Sequence, residues 1–305
     1  MKRKIKFAAG ITAAGALTLG SAMLSFADWN PLGNGDWSFT DSSGSRVTNE
    51  WRQSGNHYFY LNSDGIMARN QWVDDTYYVN ADGARLSNTW IYTPEGEDAP
   101  NSDGGWFYLG ENGRAVTDGW RTINGHRYHF DDEGAMSYGW FHDEDDLYYL
   151  GDENDGAMKT GWLALAWDED EIPDDGEVSS IVSSGEMGAW FYFQSNGQAV
   201  RAEDDTYVSR RINGYRYYFD ENGVMADGWA EVGEREDGDI TGISTLKYFG
   251  TADQGQMAVG WRYIYDEPTD SNDDFSYSTA SSSNASSSAL PERDNWGDGA
   301  WYYFD

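Results

Sequence analysis

The sequence predicts an all-β chain in which about nine short β-hairpins stack into a solenoid. Three observations support this prediction. Aromatic residues make up 16% of the 305 residues, which include 15 Trp, 21 Tyr and 36 Gly. An aromatic tetrad, followed by a turn that contains Gly, recurs along most of the chain. No long stretch after residue 27 has the apolar spacing of an amphipathic helix.

Residues 1–27 have the three parts of a secretory signal peptide. The basic start consists of Lys2, Arg3, Lys4 and Lys6. An apolar run extends from Phe7 to Leu24, and small residues follow it before Asp28. A membrane anchor is the alternative, because the apolar run approaches the length that spans a bilayer. Since no second apolar stretch occurs, we expect residues 28–305 to be secreted without insertion into the membrane.

The chain is strongly acidic, with 53 Asp and Glu against 20 Lys and Arg and a formal net charge of −33. Such a charge repels nucleic acid and anionic membranes, so we predict no nucleic-acid partner. It attracts cations, including quaternary ammonium groups; solubility alone is the other explanation. The chain has no Cys, which excludes disulfides, thiol nucleophiles and thiolate metal sites.

The clearest copies of the repeat begin at Arg127 and Arg216. In both copies a tetrad ending in Phe precedes a polar turn with Gly, then a Met, and then a Gly-Trp pair. Further tetrads begin at His57, Thr76, Trp106, Leu147, Trp190, Leu246 and Trp301. The last copy is incomplete, because the sequence stops at Asp305.

Each repeat is predicted to contribute two short strands. The tetrad forms one strand, since aromatic residues favour extended backbone, and the segment that starts at Gly-Trp forms the next. Asn124-Gly125 and Asn213-Gly214 join such a strand to the following tetrad, and Asn-Gly between strands is a strong hairpin signal. One hairpin cannot bury enough apolar surface to be stable alone, so neighbouring hairpins must cover one another.

The alternation of side chains along a strand predicts where the core lies. The fourth residue of the tetrad is apolar or aromatic in every copy and is expected in the core. These residues are Tyr60, Val79, Leu109, Phe130, Leu150, Phe193, Phe219, Phe249 and Phe304. The third residue is mostly Tyr and is expected on the opposite face.

The tetrads, the Gly turns and the Gly-Trp pairs resemble the choline-binding, or cell-wall-binding, repeats of Gram-positive surface proteins, which are related to glucan-binding repeats. The resemblance extends from about Trp37 to Asp305. It implies a left-handed superhelix, with the choline of teichoic acids held between successive hairpins in cages of Trp and Tyr. It implies ligand-binding roles for Trp90, Trp106, Tyr108, Trp120, Trp140, Trp162, Trp190, Tyr192, Trp229, Trp261, Trp301 and Tyr303.

The tetrads differ in the residue at their first position. Trp stands there in the copies at Trp106, Trp190 and Trp301. The copies at Arg127 and Arg216 place a positive charge where a cationic ligand would sit. The Arg copies are therefore closer to the glucan-binding type of repeat.

Each of the three Trp-first tetrads follows a long acidic insertion, interpreted as an extended hairpin tip. The tips are residues 93–105, 168–189 and 267–300. We predict the complete cages at these hairpins, with the acidic tips overhanging them; solvated loops are the alternative. The predicted cage pairs are Trp90 with Trp106, Trp162 with Trp190, and Trp261 with Trp301.

No catalytic residue, metal site or cofactor is predicted, because acidic residues in exposed loops lack the environment that glycoside hydrolysis needs. The sequence predicts a non-catalytic cell-surface module that binds choline-bearing teichoic acid or another cell-wall polysaccharide. Three alternatives remain open. The chain binds a neutral glucan by aromatic stacking, it targets a wall hydrolase or glycosyltransferase whose catalytic domain lies outside this chain, or it is a structural spacer.

Overall fold

A computed structural model of the chain describes residues 28–33, 35–96, 99–166, 174–181, 188–203, 206–232, 235–236, 239–240, 246–264 and 300–304. The predicted signal peptide lies outside these residues, as do most of the tip 267–300 and parts of the tip 168–189. The described residues form strands and turns and contain no helix. Accordingly, none of the described segments is a helix long and apolar enough to cross a membrane.

The chain divides into two compact units, residues 1–138 with 150–158, and residues 139–149 with 159–305. The strands of the first unit are β1 (Asp28–Pro31), β2 (Trp37–Thr40), β3 (Glu50–Ser54), β4 (His57–Leu61), β5 (Gln71–Val73), β6 (Tyr77–Val79), β7 (Thr89–Thr93), β8 (Gly105–Leu109), β9 (Gly119–Ile123) and β10 (His126–Phe130). Those of the second unit are β11 (Trp140–Asp143), β12 (Asp146–Tyr149), β13 (Gly161–Leu165), β14 (Ala189–Phe193), β15 (Val208–Ile212), β16 (Tyr215–Phe219), β17 (Trp229–Glu231), β18 (Arg235–Glu236), β19 (Asp239–Ile240), β20 (Leu246–Tyr248), β21 (Gly260–Ile264) and β22 (Ala300–Phe304).

All of these strands pair antiparallel in two-stranded sheets. Consecutive strands pair with each other, except that β17 pairs with β20 and the short ribbon β18–β19 lies between them in sequence. The tight turns follow the Asn-Gly signal: Asn124 has φ 51° and Gly125 has φ 85°. Positive φ at both central residues is the geometry of the turn that best matches the twist of a hairpin.

A periodic hydrogen bond joins each hairpin to the one before it. In eight repeats of the described residues, the residue two positions after the turn Gly donates its amide N–H to a carbonyl of the preceding repeat. The acceptor is the carbonyl of the first tetrad residue of that repeat. In the first unit these bonds run from Met67 to Trp37, Arg85 to Tyr58, Ala115 to Thr76, Met136 to Trp106, and Met158 to Arg127, at 2.7–2.9 Å. In the second unit they run from Ala199 to Leu147, Met225 to Trp190, and Met257 to Arg216, each at 2.8 Å. The prediction of an all-β solenoid of stacked hairpins is confirmed; the left-handed superhelix stays a prediction.

The fourth tetrad residue lies in the core of most repeats, as expected from the strand alternation. It is fully buried in seven of the predicted tetrads, at Val79, Leu109, Phe130, Leu150, Phe193, Phe219 and Phe249. Phe304 is half-buried. One assignment was wrong by a residue, because Leu61, and not Tyr60, occupies this position in the second repeat. Leu61 is fully buried and bridges Met67, as Phe130 bridges Met136. The tetrad there is therefore Tyr58–Leu61, and its first residue is Tyr58 in place of His57.

The structure also adds a tetrad that the sequence analysis did not count. Residues Trp37–Thr40 form β2, whose partner strand β1 places Trp29 opposite Phe39. The carbonyl of Trp37 accepts the periodic hydrogen bond from Met67. Trp37 is therefore a fourth tryptophan at the first tetrad position.

Candidate functional site

An aromatic cage lies between two successive hairpins of the second unit. Trp162 comes from β13, Trp190 from the opposite strand β14, and Tyr217 from β16 of the next hairpin. The rings of Trp162 and Tyr217 are 4.8 Å apart at 62°, and those of Trp162 and Trp190 are 6.3 Å apart at 80°. Three rings at steep mutual angles leave a concave space that is walled by aromatic surfaces. We call this arrangement the Trp190 cage.

The Trp190 cage encloses a cavity of about 250 Å³, small for a ligand pocket. Met225 and Asp253 also line it. The indole N–H of Trp190 donates to Oδ1 of Asp253 at 3.3 Å, which fixes a carboxylate at the rim. The cavity therefore combines an apolar, aromatic wall with one negative charge, a combination that suits a small organic cation.

The backbone of the repeat explains why these groups meet. The periodic hydrogen bond from Met225 to Trp190 holds the Met beneath the first tetrad residue. Gly255, in the turn of the following repeat, lies directly against the Met225 thioether and has φ +56°. A side chain at Gly255 would clash with the Met225 thioether, which lines the cavity, so this turn needs Gly for both its conformation and its close approach.

The first unit holds a second cage of the same construction, the Trp106 cage, formed by Trp90, Trp106, Tyr128 and Met136. The rings of Trp90 and Tyr128 are 5.0 Å apart at 65°. All four side chains belong to one hydrophobic cluster, in which Trp90 and Trp106 keep part of their surface accessible. Burial, with a smaller contribution from the Asp155 carboxylate, raises the pKa of Tyr128, so this ring stays uncharged at neutral pH.

A third cage of this type, the Trp37 cage, consists of Trp29, Trp37, Phe59 and Met67. The rings of Trp29 and Phe59 are 5.2 Å apart at 72°, and the four side chains share one cluster. The sequence analysis missed it, because Phe replaces Tyr and the turn between β1 and β2 is short. The Met that follows the Gly turn was the signal that could have identified it.

One predicted ligand residue, Trp140, differs from the cage tryptophans because its side chain is buried, and the same is true of Trp72, for which no ligand role is predicted. Trp140 is fully buried, and its indole N–H donates to Oγ of Ser179 at 2.8 Å. Trp72 holds the same repeat position, is 7% exposed, and donates to Oγ1 of Thr93 at 3.0 Å. The ring centroids of Trp140 and Phe191 are 5.1 Å apart. Trp140 therefore belongs to the core of this repeat.

The described residues of two acidic tips lie against neighbouring repeats. The tip residues 267–299 lie outside the described residues, and the overhang of the tips over the cages stays a prediction. In the tip 168–189, the described residues 174–181 fold onto the preceding hairpin, where Glu177 accepts from the Trp140 amide at 2.9 Å. Oδ1 of Asp175 contacts Nδ1 of His142 at 2.7 Å in the same place. Ala99, in the tip 93–105, packs against the cluster of Trp72. The buried indoles of Trp72 and Trp140 need hydrogen-bond acceptors. Thr93 and Ser179, both in tips, supply them.

The face of Trp120 is covered by a cation from its own hairpin. The guanidinium carbon of Arg127 lies 4.4 Å from the centroid of the Trp120 ring. This contact agrees with the expectation that an Arg at the first tetrad position opposes a cationic ligand. Trp120 is therefore not part of an open cage.

The remaining predicted ligand residues fall into two groups. Tyr108 and Tyr192 pack edge-on against Trp90 and Trp162 at 5.1 and 5.0 Å and support the cage tryptophans. Trp229 packs on Tyr302 at 5.0 Å. At the predicted third cage, Trp261, Trp301 and Tyr303 are 63%, 64% and 61% exposed. The rings of Trp261 and Tyr303 lie 5.3 Å apart at 62°, and a cage at this hairpin stays a prediction.

Comparison with known protein families identifies repeats of one kind along much of the chain. Models described as choline-binding repeat match residues 45–85, 66–106 and 116–162. A model described as putative cell wall binding repeat matches residues 101–115 and 210–225. The matches cover the hairpins of the Trp106 cage and the tetrad that supplies Tyr217 of the Trp190 cage.

The chain is also similar to individual proteins. It is 28% identical over 214 residues to glucosyltransferase-S of Streptococcus mutans serotype c, which covers 65% of this chain and 13% of that protein. It resembles the modular autolysin LytC of Streptococcus pneumoniae with 22% identity and a TM-score of 0.45, over 80% of this chain and 50% of that one. Choline binding protein F of the same species is 21% identical, with a TM-score of 0.38, over 79% of this chain and 89% of that one. The chain thus spans about an eighth of the length of the glucosyltransferase.

Proposed function

We propose that the chain belongs to the family of choline-binding, cell-wall-binding repeats, whose models match several of its hairpins, and that it is a non-catalytic module that binds the choline of cell-wall teichoic acids on a bacterial surface. The ligand sites in this proposal are the Trp37, Trp106 and Trp190 cages. The single observation that carries the proposal is the concave cavity lined by Trp162, Trp190 and Tyr217.

The chemistry of choline matches this cavity. A quaternary ammonium group has no N–H to donate, so hydrogen-bond acceptors do not hold it strongly. Aromatic faces attract it instead, at roughly 0.5–2 kcal/mol for each ring. Met225 offers a polarizable apolar contact for the methyl groups. The net charge of −33 favours the approach of any cation to the protein.

Retention on a choline-bearing resin tests the proposal. The triple variant Trp37→Ala, Trp106→Ala, Trp190→Ala removes one wall from each cage, and we expect it to flow through the resin while the wild type is retained. Trp120→Ala is the matched control, because Arg127 already covers that ring, and it should be retained. Retention of the triple variant, with its circular dichroism spectrum unchanged, would refute the proposal.

A second candidate function, binding of a neutral glucan by aromatic stacking, is favoured by the similarity to a glucosyltransferase. Elution of the resin-bound protein by free choline, and not by dextran, favours choline as the ligand; elution by dextran alone favours the glucan.

The proposal of a binding role without catalysis rests on the groups that line the Trp190 cage. The groups that line the Trp190 cage are aromatic rings, a thioether, amides and one exposed carboxylate. General acid–base catalysis needs a positioned group with a suitable pKa, and we propose that any such group belongs to another protein or domain on the same surface.

A further inference from the structure

A fourth aromatic cage lies between the hairpins β3–β4 and β5–β6 of the first unit. Trp51, Tyr58 and Tyr77 form it and hold the repeat positions of Trp90, Trp106 and Tyr128. The rings of Trp51 and Tyr77 are 5.3 Å apart at 70°, close to the 5.0 Å and 65° of Trp90 and Tyr128. The three rings therefore make the same kind of wall as in the cages proposed to bind choline.

This cage already contains a cation, the side chain of Arg85. Its guanidinium carbon lies 4.4 Å from the ring centroid of Tyr58, 5.1 Å from that of Tyr77 and 5.6 Å from that of Trp51. All three distances lie within the range of cation–π attraction. The ion pairs found among the described residues do not involve Arg85, so three aromatic faces surround its charge.

Arg85 takes the place of the Met in the open cages. Its amide donates to the carbonyl of Tyr58 at 2.8 Å, as the Met136 amide donates to Trp106 and the Met225 amide to Trp190. The side chain is held from outside by the next turn: a Cβ at Gly113 would come within 2.8 Å of Nε. One backbone position therefore carries a thioether in the open cages and a guanidinium in this one.

We propose that Arg85 is an internal ligand that closes the Trp51 cage and excludes external quaternary ammonium ions from it. This inference rests on the proposed function, since it assumes that the aromatic cages of this chain take such ions. Choline would have to displace a cation that is tethered to the cage, and a tethered group competes at a high effective concentration. Arg85 is in this sense a specificity-determining residue that sets how many cages bind.

The test is the variant Arg85→Met, which restores the composition of the Trp106 and Trp190 cages. Equilibrium dialysis with radiolabelled choline chloride, repeated with tetramethylammonium, measures the number of ions bound per chain. We expect Arg85→Met to bind one more ion than the wild type. Arg46→Met is the matched control: Arg46 bridges Thr40 as Arg85 bridges Val79, and a Cβ at Gly65 would come within 2.7 Å of its Nε. No aromatic ring among the described residues lies under the Arg46 guanidinium, so this variant should bind as the wild type does.

The possible outcomes separate this inference from the proposed function. If the wild type binds choline and Arg85→Met binds the same number of ions, the inference is overturned and the proposed function stands. If only Arg85→Met binds, the inference stands and the proposed function fails. If neither binds, both fail. Should Arg85→Met not fold, Trp51→Phe in the otherwise native chain decides: an unchanged number of bound ions supports a cage closed by Arg85, and the loss of one ion overturns it.

Discussion

At the residue scale, two positions of the repeat determine whether the Trp of the preceding strand lines a cage or lies in the core. These positions are the first tetrad residue and the residue whose amide donates the periodic hydrogen bond. Trp with Met gives an open cage, as at Trp190 and Met225. Leu147 with Ala199 gives a packed core around the buried Trp140. Tyr58 with Arg85 gives a cage filled by the chain itself. A small change of side chain therefore turns one scaffold position into a ligand site, a core residue or a closed cage.

The core role of Trp140 leads to a prediction that separates it from the cage residues. Trp140→Phe removes the indole N–H that Ser179 accepts and leaves a partly empty volume, so we expect a loss of ~1–3 kcal/mol in the free energy of unfolding. Choline binding at low temperature, where the variant is folded, should keep the wild-type number of ions. Urea denaturation and equilibrium dialysis measure the two quantities; loss of a bound ion without loss of stability would contradict this role.

A half-buried carboxyl in the turn after β16 leads to a prediction on pH. Burial raises the pKa of Asp220 from 3.8 to about 6, although Oδ1 accepts the Val224 amide at 2.7 Å. Because the folded pKa lies above the unfolded one, the folded state binds this proton more tightly. The contribution of Asp220 to stability is therefore full below about pH 4 and is lost as the pH rises from about 4 to 6.

The variant Asp220→Asn should remove the loss of stability that the ionisation of Asp220 causes above about pH 4. Asn62 occupies the same place in its turn and accepts the amide of Ile66 at 2.9 Å, so the amide side chain preserves the hydrogen bond without the cost of burying a charge. We expect the variant to be ~1–2 kcal/mol more stable than the wild type at pH 7 and equally stable at pH 4. Urea denaturation curves at both pH values measure the difference; an equal gain at pH 4 would contradict the titration of Asp220 as its cause.

At the scale of the elements, the hairpins could be predicted and the contacts between them could not. Asn-Gly turns, aromatic tetrads and Gly-Trp pairs are local signals, so they predict strands such as β9 and β10 directly. The fold-back of residues 174–181 onto Trp140 depends on which indole lacks a hydrogen-bond acceptor, and that follows only from the packed structure. Likewise, Arg85 is an ordinary polar residue in the sequence, and its place between three rings depends on the stacking of two hairpins.

A long hairpin tip and a Trp-first tetrad do not always occur together. Trp37 begins its tetrad after a short turn, whereas Leu246 follows the long connection that contains β18 and β19. Tip length alone therefore does not identify the Trp-first tetrads.

The turn that supports each Met gives a prediction at this scale. Gly255→Ala introduces a methyl group against the Met225 thioether in a backbone with φ +56°, so we expect the Trp190 cage to lose its ion. Gly125→Ala is the control, since its φ is +85° and a methyl group there would meet nothing within 4 Å. Both should lose ~1 kcal/mol of stability from backbone strain, but the number of bound choline ions should fall only in Gly255→Ala. Equal binding by the two variants would contradict the supporting role of this turn.

At the scale of the whole molecule, the Trp-first tetrads are spaced regularly along the chain. They begin at Trp37, Trp106, Trp190 and Trp301, with two other tetrads between each pair. The net charge of −33 acts on all of them together; at physiological ionic strength its field is screened over about 8 Å. Charge therefore attracts cations to the surface, and the aromatic cages determine where they bind.

The most direct test of this account is a crystal structure of the protein with choline. The account predicts a trimethylammonium group in the Trp37, Trp106 and Trp190 cages, within about 6 Å of the ring centroids. It also predicts that the guanidinium of Arg85 stays among Trp51, Tyr58 and Tyr77, and that no choline lies beside Trp140. Choline bound in the Trp51 cage, or absent from the Trp190 cage at a saturating concentration, would contradict it.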